Sequence, residues 1–273
     1  MNQSGSKEKW ENPYYLAFDL LLAKLLAAEQ ALNVSEAAFG YANESPEKWL
    51  ERIPDGRLCG MLADICDDSI PGYVKHVPSL RGPDEEIDFL LRAVRDFRTQ
   101  SYLWAIARAF EAFREFVGAA AGELATASES ERRGSSGKNG PAESKTRRFS
   151  DALKHVRKTV PVLKGYEMRN VRGIDLAQWI RVVSTVRDAV AHNEGIVGSA
   201  NYEKYRSSGL EKEFPGELED AIGYVLKPTH DVALNAITRL REYGLVIYKA
   251  VSETANLPVL IYNHEKGITT WRR

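Results

Sequence analysis

GIDLAQWIRVVSTVRDAVAHNEG, Gly173 to Gly195, has the pattern of one amphipathic helix together with its flanking signals. Gly173-Ile174-Asp175 leads in. Leu176, Trp179, Ile180, Val183, Val186 and Val190 then recur at the spacing that gathers apolar side chains on one helix face. Gly195 fits the terminating position, where freedom at positive φ lets the backbone leave the helix. The last nine residues, RDAVAHNEG, set Arg187, Asp188, His192 and Asn193 at the end of that helix.

Helical signals dominate outward from this segment. Upstream, Pro83-Asp84 opens the longest pattern, through about Leu124. Its core face is Ile87, Leu90, Leu91, Val94, Phe97, Tyr102, Ile106, Phe110, Phe113 and Val117, and its length predicts a kink near Thr99 to Ser101 or at Gly118. Its aromatics read as core rather than as a cofactor or base-stacking surface. Asn12-Pro13 starts a first helix with a stripe of Leu16, Leu20, Leu21, Leu25, Ala28 and Leu32. Ser45-Pro46 starts a short one, capped by Ser45, that must stop near Pro54-Asp55-Gly56. Arg57 to Asp67 reads as another. Helical pattern returns at Arg148 to Thr159 and stops before Pro161. Downstream, Asn201 to Glu217 reads as a polar connection dotted with aromatics. Thr229 then caps a final helix, Asp231 to about Ala255. Pro258 to Tyr262 and Ile268 to Trp271 are strand-like around a turn, which predicts a small terminal hairpin.

The fold class expected is therefore all-α. Residues 1–80 form an N-terminal helical extension and 84–256 a helical bundle containing a flexible polar and basic loop at 126–147. Residues 257–273 form a tail with the hairpin.

Composition is ordinary for a soluble globular chain, with 44% hydrophobic and 27% charged residues. The 273 residues leave room for one large domain or two small ones. The polar start, MNQSGSKEK, does not resemble a signal peptide. Asp19, Lys24 and Glu29 interrupt the most apolar segment, Leu16 to Leu32, which argues against a membrane span. Cys59 and Cys66 lack the second pair a zinc site needs and read as reduced core thiols in a cytoplasmic protein. His76, His230 and His264 are scattered, and the Asp64, Asp67 and Asp68 cluster reads as helix-end solvation. No metal or cofactor is expected.

Net charge is −1, unevenly spread. From Arg132 to Arg172 twelve basic residues face three acidic ones, a net of +9 that leaves −10 for the rest. Such a block is either a polyanion-binding surface or a solvated linker followed by an ordinary helix. On the first alternative, Arg147, Arg148, Lys154, Arg157 and Lys158 would contact the polyanion, which the family resemblance given next implies is RNA.

RDAVAHNEG resembles the signature of the HEPN superfamily (higher eukaryotes and prokaryotes nucleotide-binding), an Arg-x(4–6)-His motif often with Asn, Asp or His just after the Arg. The resemblance extends from about Ile174 to Ala255. A second loose match, Arg148 to His155, has Phe149 where the polar residue belongs. The resemblance implies a HEPN-like antiparallel helical bundle, a two-fold homodimer through the motif helix, and a metal-independent ribonuclease site. Arg187 and His192 lie about 140° apart around an ideal helix. They converge poorly within one copy, whereas a symmetric pair of helices places both groups twice in one cleft.

In that site His192 supplies acid–base chemistry and Arg187 clamps the phosphate. Asp188, four residues before His192, orients the imidazole, and Asn193 hydrogen-bonds substrate or the helix end. The products implied are a 2′,3′-cyclic phosphate and a 5′-hydroxyl, from RNA alone because DNA lacks the 2′-OH. Bacterial defence or toxin activity is the setting. Some HEPN toxins carry a tyrosine two residues after the His; here that position is Glu194. The other reading of the triplet is that Arg187, Asp188 and His192 pair with one another and cap a helix. Separately, the rival function is a catalytically silent HEPN adaptor that senses a ligand or nucleotide, or holds a regulatory protein partner.

Overall fold

The computed structural model describes residues 12–50, 83–133, 148–170, 172–220, 222–263 and 267–271. The expected turn at Pro54 to Gly56, the helix from Arg57 to Asp67, Cys59, Cys66, the Asp64 cluster, His76, Arg147 and His264 lie outside them. The described residues are predominantly helical, as the patterning predicts. The helices are α1 (Pro13–Glu44), α2 (Pro46–Leu50), α3 (Pro83–Arg133), α4 (Phe149–Thr159), α5 (Val162–Met168), α6 (Leu176–His192), α7 (Ser199–Arg206), α8 (Leu210–Glu213) and α9 (His230–Thr254). Strands β1 (Ile196–Val197), β2 (Gly216–Glu219) and β3 (Gly223–Leu226) form an antiparallel sheet in the order β1-β3-β2. Strands β4 (Val259–Asn263) and β5 (Gly267–Trp271) form the expected terminal hairpin, with Val259 opposite Trp271. Among the described residues no helix is long and apolar enough to cross a membrane.

The chain divides into two compact units, residues 1–29 with 103–273, and residues 30–102. In the second, Leu90 and Val94 bury against Ala42 and Phe39. Arg98 donates to the Tyr102 hydroxyl at 2.7 Å and pairs with Glu36. Phe97, expected in the core, is instead 64% exposed. Its neighbour Arg98 makes that turn's polar contacts with Glu36, and burial on α3 follows Leu90 and Val94 rather than Phe97.

The first unit holds the motif. Its core draws on the start of α1 (Tyr14, Phe18, Leu21, Leu25), on α3 (Ile106, Phe110, Phe113, Val117), and on α6 and α9. Caps set the helix starts. Asn12 Oδ1 accepts the Tyr14 N–H, Asp175 accepts from Gln178 and Thr229 accepts from Val232. Asn12 is buried, and its amide also donates to Ser252 Oγ at 3.0 Å and the Pro258 carbonyl at 2.7 Å. One residue thereby fixes the start of α1 to the end of α9. Phe18 stacks on Tyr248 at 4.7 Å. A Cβ on Gly244 would meet the Leu21 Cδ2 methyl at 2.4 Å, so a larger residue there would force Leu21 to shift. The α1 stripe sits slightly round from expectation. Leu16 and Leu20 are exposed, while Tyr14, Tyr15 and Phe18 are buried, Phe18 through its stack on Tyr248.

Two further expectations are corrected. α3 is helical from Pro83 through to Arg133. It thus enters the stretch expected to be a loop; Ala, Glu and Arg are good helix formers. α4 stops before Pro161 as expected, and the chain then re-enters a helix, α5, which buries Leu163. The polar connection after the motif is the β1-β3-β2 sheet with α7 and α8, closed by buried Tyr202, Phe214 and Tyr224. Tyr202 and Tyr224 stack at 5.1 Å, and the Tyr224 hydroxyl donates to the Phe214 carbonyl. Strands of two to four residues are too short to produce a readable alternation.

Tyr243 joins α4, α5 and α9. Arg157 Nη2 donates to its hydroxyl at 2.6 Å, that hydroxyl bonds Glu167, and Arg157 Nε donates to Glu167 at 2.9 Å. Burial first, then the Glu167 charge, pushes the Tyr243 phenol well above its ordinary value. Burial likewise pushes Tyr248 and Tyr224 up to about 12. A raised phenol stabilises the fold below the unfolded value near 10 and loses that contribution as pH rises towards the folded value. Stability should hold to about pH 10 and fall above it. Tyr243→Phe should cost about 1–3 kcal/mol, because Arg157 and Glu167 lose their shared partner in a buried place. Chemical denaturation of both proteins at neutral and alkaline pH checks this, and a variant as stable as wild type would contradict it.

Candidate functional site

α6 carries the motif because its apolar residues anchor it. Leu176, Trp179, Ile180, Val183, Val186 and Val190 are buried, as expected, with Val182 and Ala189 beside them. The helix ends where the sequence places its stop. Glu194 and Gly195 both take positive φ, 52° and 88°. The Asn193 and Gly195 N–H groups both donate to the Ala189 carbonyl, at 2.8 and 3.0 Å. A Cβ on Gly195 would meet Leu103 Cδ1 at 2.7 Å, so this glycine serves both the turn and the approach to α3. The Gly195 carbonyl then accepts from Leu226 N–H, tying the helix end to β3.

His192 and Asn193 emerge exposed from this helix end. Among the described residues His192 makes no ion pair or hydrogen bond with its side chain. The Asp188 carboxylate, expected on His192, instead accepts from Arg187 Nη1 at 2.7 Å. Arg187 is the sequestered member, its side chain 15% exposed. Its Nε lies 2.6 Å from Glu111 Oε1 as an ion-pair contact, and its guanidinium carbon stands 5.8 Å from the centre of the Phe110 ring. Glu111 also pairs with Arg114 at 2.7 Å.

Arg187 lines an open groove of about 400 Å³ between the start of α1, α3 and α6. Trp104, Arg108 and Glu111 from α3 and Lys24 from α1 share it, with alanines from all three helices between them. His192 is not among the lining residues. No family model, curated protein or solved structure matches this chain.

The expected RNA-contacting residues separate. Arg148, Lys154 and Lys158 are exposed, and Lys154 and Lys158 are one helical turn apart on α4. Arg157 points elsewhere: its guanidinium is engaged by Glu167 and Tyr243. His155 is half-buried, consistent with a boundary residue. No group of three or more His, Cys, Asp or Glu is placed to hold a metal ion among the described residues.

Sequence reasoning missed Trp104 and Arg108, which the core assignment of α3 concealed. Trp104 is 55% exposed. The signal lay in its helix angle: two residues from Ile106, it sits about 200° round from that core position.

Proposed function

We propose that this chain is a HEPN-type endoribonuclease that cleaves RNA without a metal and acts in defence or as a toxin. The observation that carries the reading is the end of α6. His192 is exposed and without a side-chain partner among the described residues, while Arg187 on the same helix lines an open groove. In the reaction the imidazole of His192 takes the 2′-OH proton, and the 2′-oxygen attacks phosphorus. Arg187 neutralises charge on the equatorial oxygens. The bond to the 5′-oxygen breaks as an imidazolium gives that oxygen its proton. A second copy docked through α6 supplies the second histidine, so base and acid are present together. The incoming phosphate replaces carboxylate on Arg187, and exposed Arg148, Lys154 and Lys158 draw RNA in.

One observation favours a second reading, a catalytically silent adaptor that binds a protein partner or a nucleotide. Arg187 in contact with Glu111, Asp188 and Phe110 has the environment of a structural arginine. Incubation of wild-type and His192→Ala protein with total RNA and tRNA in EDTA separates the two. Cleavage by wild type alone supports the ribonuclease. Silence of both supports the adaptor, and equal cleavage by both removes the motif from the chemistry.

A further inference from the structure

We propose that the groove beside Arg187 is a subsite for one nucleotide of single-stranded RNA, with the base stacked on Trp104 and its phosphate on Arg108. The inference rests on the ribonuclease reading and deepens it. Between Leu103 and Phe113, in the middle of the core helix α3, only Trp104 and Arg108 are exposed. They are four residues apart on one helix face, about 6 Å along the axis. Both line the groove that Arg187 lines.

The charges of that groove single out one cation. Lys24 pairs with Glu115, and Arg187 pairs with Glu111 at 2.6 Å. Arg108 has no ion pair among the described residues. A half-exposed indole beside an uncompensated guanidinium fits a ligand with a flat aromatic face and an anion about one turn away. A nucleotide has that chemistry, since every base presents a π-face and every linkage a phosphate. Alanines from all three helices line the groove beside Trp104, and its volume of about 400 Å³ is of the size small-molecule sites have. An apolar peptide side chain would cover Trp104 and bring no anion to Arg108. Continuity with Arg187 places the next phosphate of the strand towards the proposed clamp.

The test is binding of fluorescein-labelled octaadenylate, 2′-O-methylated so that it cannot be cleaved, measured by anisotropy over a salt series. Trp104→Ala should weaken binding by about tenfold, the effect of losing one base–aromatic stack. Trp104→Phe should restore most of it. Arg108→Gln should weaken binding and reduce the slope of log affinity against log salt by about 0.7, the value for one phosphate contact on a single strand. Wild-type affinity in Trp104→Ala, no rescue by Trp104→Phe, or an unchanged slope in Arg108→Gln would each overturn the subsite. The failure of the underlying reading looks different. If His192→Ala cleaves like wild type while Trp104→Ala still loses binding, the ribonuclease assignment falls and the RNA site stands. If His192→Ala stops cleavage and Trp104→Ala binds normally, the subsite alone falls.

Discussion

His192→Ala is expected to slow RNA cleavage in EDTA by about 10²- to 10⁴-fold, the range for removing a positioned general acid–base group. In the proposed dimeric cleft the substitution removes both histidines, which places the expected effect towards the upper end. The same substitution should change stability by no more than about 0.5 kcal/mol, because the side chain is exposed and supports nothing around it. α6 is held by its buried face and by the Gly195 turn, neither of which involves the imidazole. Rate loss without stability loss is therefore the signature of a chemical role. A variant that loses rate only in proportion to a fall in its melting temperature would contradict it. Single-turnover cleavage and thermal denaturation of the same preparations supply both quantities.

Arg187→Gln should lower cleavage by about 10²- to 10³-fold, comparable to removing one charge-stabilising donor from an active site. Arg187→Lys should recover only part of this, since a point charge cannot reproduce the planar fork a phosphate uses. The structural cost should stay near 1 kcal/mol, mostly from the contact over Phe110. Glu111 retains its ion pair with Arg114, and Asp188 is exposed, so neither carboxylate is stranded. The adaptor reading expects another pattern: the loss would appear in stability and no RNA phenotype would follow. Equal cleavage by Arg187→Gln and wild type would remove the proposed clamp.

Much of the architecture around the motif was legible because it depends on local signals. α6 and α9 combine a capping side chain, Asp175 and Thr229, with an apolar face, and both begin within a residue of where those signals place them. The Gly195 stop was equally readable, since leaving the helix at a positive φ of 88° favours glycine. The terminal hairpin followed from two β-rich runs around one turn. Features that depend on distant partners were not legible. Nothing in the sequence near Arg157 announces Tyr243 and Glu167, which turn an expected RNA contact into an interior pair. Periodicity suggested Asp188 for His192, but the guanidinium one residue away captured the carboxylate. Trp104 was hidden among core aromatics, and only the packing of α1 and α6 beside α3 leaves it facing a groove.

Product termini give the most direct test of the ribonuclease assignment. Wild-type protein should be incubated in EDTA with an RNA oligonucleotide and with its fully 2′-deoxy counterpart, and the fragments weighed by mass spectrometry. Attack by the 2′-oxygen predicts a 2′,3′-cyclic phosphate on one fragment, a 5′-hydroxyl on the other, and an intact deoxy strand. Fragments carrying a 3′-hydroxyl and a 5′-phosphate, or scission of the deoxy strand, would contradict the chemistry assigned to His192 and Arg187.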